Sequence, residues 1–216
     1  DLVLVARRED RLSALADELG ANDVTVRVLP ADLSLPTAAS AIHEILSGSG
    51  IDIDILVNNA GFGARGSVAE LSVARQTEMM QVNMRTLTEL TRRMLPGMIQ
   101  RGWGGILNVA STAAFQPGGP YMAVYYASKA YVLSFTEALA EEVAGTEINV
   151  TCLAPGPVAT EFGAVAGVVP ATVALVPEVV VDGREGDAPR SAHAGVDARG
   201  PVAEDRLQVA LGVEGI

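Results

Sequence analysis

Cysteine is almost missing from this chain. Cys152 is the single example in 216 residues, which excludes an intramolecular disulfide and a cysteine-based metal site and fits a reducing cytoplasm. Set in an apolar stretch, it reads as a small core residue. Histidine is also scarce: His43 and His193 are too few and too separated in sequence to suggest a histidine metal site. Basic residues are in the minority, 15 Lys and Arg against 26 Asp and Glu, for a formal net charge of −11. That balance argues against nucleic acid as a general partner. Long apolar runs are absent too: hydrophobic residues make up 49% of the chain, yet no run reaches the roughly 18 residues that a membrane span needs. No basic leader region or cleavage signal opens the chain, so nothing indicates export and the cytoplasm is the expected location.

What is present is a regular alternation. At 216 residues one domain is the default. Short apolar segments at Leu2 to Ala6, Val24 to Leu29, Ile53 to Val57, Ile106 to Val109 and Glu147 to Leu153 read as strands. Between them, helical spacing covers Asp10 to Leu19, about Thr37 to Leu46, a long region from about Val68 to Arg92, and Val124 to Val143. Strand and helix in turn imply an α/β fold, a doubly wound parallel sheet covered on both faces. After about Thr160 the pattern weakens, and from Gly183 to Gly200 there is hardly a large apolar residue. A packed core is not expected there. Val179 to Val181 is expected to join one last strand and Leu207 to Leu211 to form a short helix.

Gly61-Phe62-Gly63-Ala64-Arg65-Gly66 matches GxGxxG after a strand, a pattern that can cradle a pyrophosphate at a helix N-terminus. The dinucleotide fingerprint also requires an acidic residue about 20 positions on, at the end of a second strand. Here the candidate, Glu89, falls inside the long helix. A flexible loop beside a ligand cleft is therefore the preferred reading.

The strongest chemical signal is Ser111 followed by Tyr125 and Lys129. Tyr125 and Lys129 stand one helical turn apart on one face. An ammonium beside a phenol favours phenolate and is expected to lower the tyrosine pKa from about 10, as a general acid/base for carbonyl chemistry requires. Ser111 ends a strand, where α/β sheets bind ligands, and its hydroxyl can hydrogen-bond a substrate oxygen. Spacing alone leaves Tyr125 and Tyr126 as alternatives, since both reach Lys129.

From Leu2 to Phe162, roughly three quarters of its length, the chain resembles the short-chain dehydrogenase/reductase family. Asn58-Asn59-Ala60-Gly61 resembles the NNAG signature that shapes the cofactor cleft, and Asn108-Val109-Ala110-Ser111 the strand that ends in the catalytic serine. Tyr125-Tyr126-Ala127-Ser128-Lys129 resembles YxxxK, which assigns the acid/base role to Tyr125. Pro155-Gly156-Pro157 with Thr160 resembles the motif at the nicotinamide end of the cofactor. The resemblance implies a catalytic set of Ser111, Tyr125, Lys129 and Asn83. Lys129 also holds the nicotinamide ribose, near Tyr125, and Asn83 organises a proton relay to Lys129. Asp32-Leu33 resembles the pair that contacts adenine. Arg7 and Arg8 follow the first strand, where an acidic residue would select NAD(H). Arginine there pairs instead with a 2′-phosphate, so NADP(H) is the expected cofactor. No metal is implied. The expected partner is a small carbonyl or alcohol, and the full-length parent is expected to be a homo-oligomer.

Three departures accompany the resemblance. The family opens with a strand and a TGxxxGxG turn that grips the pyrophosphate, whereas this chain starts at what looks like the second strand. The sheet is therefore expected to lack its central strand and leave unpaired edges, as in a fragment of a longer protein. Fourteen positions separate Ser111 from Tyr125, one more than the commonest family spacing, and Pro117-Gly118-Gly119-Pro120 is the expected place for the extra residue. Finally, residues 163–216 read as a divergent or poorly ordered tail to an incomplete Rossmann-like domain of residues 1–162. The leading function is an NADP(H)-dependent carbonyl reductase or alcohol dehydrogenase. The alternatives are a catalytically silent remnant that acts through protein contacts, and an epimerase or dehydratase of the extended fold.

Overall fold

The first strand, β1 (Leu2–Ala6), is apolar at every position, and its Val3 and Val5 are completely buried. A strand with no polar alternation is covered on both faces, as a central parallel strand must be. The computed structural model describes residues 1–21, 24–156, 166, 179–182 and 207–211. Beyond β1 the strands are β2 (Val26–Pro30), β3 (Ile53–Asn58), β4 (Gly104–Val109), β5 (Ile148–Ala154), β6 (Val179–Asp182) and β7 (Leu207–Leu211). They form one sheet in the order β2-β1-β7-β3-β4-β5-β6. Every pairing is parallel except the antiparallel contact of β6 with β5.

Helices α1 (Glu9–Gly20) and α2 (Ala38–Gly48) follow β1 and β2, and α5 (Ala123–Glu142) precedes β5. The long helical region between β3 and β4 starts later and runs further than its apolar spacing suggests. Ser72 stops the preceding turn and caps α3 (Val73–Met80) by accepting a bond from the Arg75 backbone N–H. A π-helical turn, Gln81–Thr86, then leads into α4 (Leu87–Arg101). Gly102, in the left-handed conformation, ends it. The buried faces of α2 (Ala39, Ile42, Leu46) and α4 (Leu90, Met94, Met98) join Val3, Val5, Leu56 and Ile106 in the main core.

The C-terminal third corrects two expectations. Leu207–Leu211 is a strand, not a helix, and it lies between β1 and β3. The edges expected to be open there are paired: Val209 is in register with Val3 on one side and Leu56 on the other. An alternating backbone ladder on both sides overrides any helical preference of so short an apolar run. Val179–Asp182 is a strand as expected. The sheet thus continues past residue 162, and at least these two pieces of the tail belong to it.

A proline at Val209 would remove a ladder N–H in the middle of β7 and crowd its neighbours. Such a substitution is expected to destabilise the chain by about 3 kcal/mol or more, a large share of a stability of about 5–15 kcal/mol. Urea denaturation of Val209→Pro measures this, and an unchanged midpoint would show that the sheet does not depend on β7.

Candidate active site

The C-terminal ends of the parallel strands converge on a cleft, the usual ligand position in open α/β sheets. Ala6 and Arg7 arrive from β1, Asp32 and Leu33 from β2, and Ala60 and Gly61 from β3. Of the two arginines, Arg7 borders this cleft. Arg8 is the N-cap residue of α1, its carbonyl accepting a bond from the Leu12 N–H.

Asp32 is held in shape by its neighbour. Its Oδ1 accepts bonds from the backbone N–H of Ser34 at 2.9 Å and from its hydroxyl at 2.7 Å. Burial works to raise the carboxyl pKa, but the two Ser34 bonds and the charge of Arg7 outweigh it, so the net shift is downward. Leu33 is buried in the core, and its carbonyl accepts a 2.8 Å bond from Thr86.

Gly61 is where the cleft meets the chemical residues. A Cβ at this position would stand 3.2 Å from Asn83 Oδ1 and 3.4 Å from Lys129 Nζ. Only glycine leaves that corner open to a ligand. Asn83, 1% exposed, sits in the π-helical turn. Its Oδ1 accepts from the Phe62 N–H at 3.1 Å, while its Nδ2 donates to the Phe62 carbonyl and to Ser128 Oγ, both at 3.0 Å. One side chain therefore ties the loop after β3 to α5. The rest of the GxGxxG run opens no helix, since Gly66 lies six residues before the Ser72 cap. Gly61, Phe62, Gly63 and Ala64 are buried, Phe62 almost completely, so this is a packed loop at the cleft wall.

Ser111 follows β4 in extended conformation, and its Oγ accepts from the Ala113 N–H at 3.2 Å. Tyr125 is buried on α5, and Ser111 is the neighbour that works to lower its pKa. Tyr126 instead packs beside Gly119, whose added Cβ would lie 2.4 Å from its ring. Tyr125 is thus the more buried of the two tyrosines that spacing alone left as alternatives. The loop between Ser111 and α5 turns at Gly118, with φ +133°, and at Tyr121, with φ 65°.

Lys129 is buried, and its Nζ donates to the Val109 carbonyl at 2.8 Å. It stands 6.0 Å from the centroid of the Tyr125 ring. This corrects the expected electrostatics. Burial raises the Tyr125 pKa above 10.0, with Ser111 opposing it, and burial lowers that of Lys129 to about 8. Desolvation is the largest cause of the shift in each group.

Asn59 is half-buried between the Asn58 strand end and Ala60. Pro155 and Gly156 follow β5, and the Pro155 carbonyl accepts a 3.0 Å bond from the Thr112 N–H, beside Ser111. Thr160 lies outside the described residues. Two further cleft residues, Phe62 and Glu78, carried no sequence signal. Phe62 was hidden in the glycine run, and Glu78 reads as an ordinary i,i+3 partner of Arg75.

Comparison with known proteins gives a consistent picture. Residues 1–167 match the short chain dehydrogenase family. The NADP-dependent 3-hydroxy acid dehydrogenase YdfG of Salmonella typhi is 39% identical over 168 residues, covering 76% of this chain and 65% of that protein. The ketoacyl reductase HetN of Nostoc sp. is 33% identical over 155 residues, 72% of this chain and 54% of that one. The chain thus spans 65% or less of the length of these two relatives. A short-chain dehydrogenase from Sphingobium yanoikuyae, solved in complex with NADPH, superimposes with a TM-score of 0.73 at 35% identity, covering 78% of this chain and 66% of that one. With a family match over most of its length and the strand-end cleft to accompany it, this chain belongs to the short-chain dehydrogenase family.

Proposed function

We propose that the chain is an NADP(H)-dependent oxidoreductase that interconverts a carbonyl and a secondary alcohol, with Tyr125 as acid/base. The observation that carries this reading is the meeting of Lys129 Nζ and Asn83 Oδ1 at Gly61 on the cleft wall, with Tyr125 buried one helical turn before Lys129 on α5. Arg7 and Asp32 supply a cation and an acceptor at the far end of the cleft. This polar set fits a dinucleotide whose ribose carries a 2′-phosphate. Two relatives support the choice: the S. typhi enzyme is named NADP-dependent and the S. yanoikuyae enzyme was solved with NADPH. By the same likeness, a short 3-hydroxy acid is the first substrate to try.

NADP(H), when bound, supplies the hydride for reduction and accepts it in oxidation. Tyr125 gives a proton to the substrate oxygen in reduction and takes it back in oxidation. Ser111 donates a hydrogen bond to the same oxygen and fixes it against the phenol. Lys129 places positive charge near the phenol and reaches toward the ribose hydroxyls. Asn83 holds the Phe62 backbone and Ser128, so that the cleft wall and α5 keep their relative position.

NADPH fluorescence on the purified chain tests cofactor binding, and no saturable signal at millimolar concentration would overturn the reading. Tyr125→Phe is expected to lower turnover by about 10²- to 10⁴-fold, with NADPH affinity little changed, whereas Tyr126→Phe retains activity. Loss of turnover in the Tyr126 variant alone would move the acid/base role to that residue.

The buried lysine also predicts a pH dependence of stability. Its folded-state pKa of about 8 lies below its ordinary 10.5, so between those values the unfolded chain binds more protons and stability rises with pH. From pH 7 to 9.5 the gain is about 2 kcal/mol relative to Lys129→Met. Chemical denaturation of both chains at the two pH values measures it, and an identical pH response would refute the burial argument.

A further inference from the structure

The cleft wall carries a carboxylate that the proposed chemistry does not use. Glu78, on α3, lines the cleft with Arg7 and Asp32. One of its oxygens lies 3.7 Å from the Arg7 guanidinium, and the other accepts a 2.9 Å bond from Arg75. Arg75 is itself anchored, its guanidinium 4.1 Å from the centre of the buried Phe62 ring. The Arg7 side chain is 42% exposed and that of Glu78 27%, so their ion pair sits at the rim, where an entering ligand can disturb it. Asp32, the second carboxylate of the cleft, is already engaged by the Ser34 N–H and hydroxyl.

We propose that Glu78 sets the cofactor selectivity of this cleft by competing with the ribose 2′-phosphate for Arg7. The proposal rests on the NADP(H) reading given above. A 2′-phosphate gains the attraction of Arg7 only by displacing or sharing it with Glu78, and it meets the like charge of that carboxylate on the way. A 2′-hydroxyl meets neither penalty. Glu78 therefore holds the preference for the phosphorylated cofactor below what Arg7 alone would give. Arg75 tempers this effect, because it neutralises part of the Glu78 charge and draws the carboxylate toward Phe62. The residue is a specificity determinant: it acts through Arg7 and through charge, and takes no part in the reaction.

Adenosine 2′,5′-bisphosphate and adenosine 5′-monophosphate isolate the relevant ends of the two cofactors, and calorimetry reads their binding without turnover. Glu78→Gln is expected to raise the preference for the bisphosphate about two- to fivefold, the scale of a partly exposed ion pair. Arg75→Gln, which leaves Glu78 less neutralised, should shift the ratio the other way. In an Arg7→Gln background the gain from Glu78→Gln should shrink. An unchanged or lowered ratio in Glu78→Gln, in a chain that still binds both probes, overturns the proposal alone. So does a gain that persists in full without Arg7, because it would owe nothing to competition for that residue. If the unmodified chain binds neither probe, the NADP(H) reading fails first and takes this proposal with it. Thermal melts of each variant separate a lost fold from a lost contact.

Discussion

The parallel ladder of β7 between β1 and β3 is the constraint on which the site depends. Without it the sheet consists of two pieces, β2-β1 and β3-β4-β5-β6, with a gap of one strand between them. Neighbouring strands lie about 4.8 Å apart, so an empty slot would separate the pieces by about twice that distance. The candidate cleft draws on both. Arg7 and Asp32 come from the first piece, and Gly61 and the groups around it come from the second. The α2–α4 packing and the shared core also bridge the halves, but side-chain packing does not fix register. Backbone pairing on both sides of β7 does.

A second constraint acts within the larger piece. The side chain of Asn83 replaces part of a backbone hydrogen-bond pattern, binding both the N–H and the carbonyl of Phe62. The helix that carries it widens to a π-helical turn at this point, a distortion commonly found where a helix serves a site. The same side chain bonds Ser128, whose hydroxyl donates to the Tyr125 carbonyl at 2.7 Å. Loop, π-turn and α5 are thereby held by one buried amide. Because these groups are buried, leaving any of them unpaired would cost about 1–3 kcal/mol, which keeps the arrangement rigid.

The sequence was most informative where one local rule governs structure. The strand–helix alternation to Ala154 follows from periodicity and turn chemistry. The site's outline was also legible, with Arg7, Asp32, Ala60 and Gly61 brought to one cleft. Long-range pairing was not. Nothing within Leu207–Leu211 announces that it will enter the middle of a sheet whose neighbours lie some 150 to 200 residues earlier in the chain. Glu78 was invisible for a related reason: its i,i+3 partner Arg75 explains it locally, while its contact with Arg7 exists only after α3 docks.

The electrostatics of Tyr125 and Lys129 show why spacing underdetermines chemistry. A lysine four residues along a helix suggests a stabilised phenolate, yet the ammonium is turned to the Val109 carbonyl and both groups are buried. Burial favours the uncharged form of each, which raises the phenol and lowers the amine. On the proposed reading this asymmetry bears on direction. A phenol that keeps its proton through neutral pH is ready to protonate a carbonyl oxygen, the form that reduction requires. Alcohol oxidation needs the phenolate, which is disfavoured until positive charge is held close beside it.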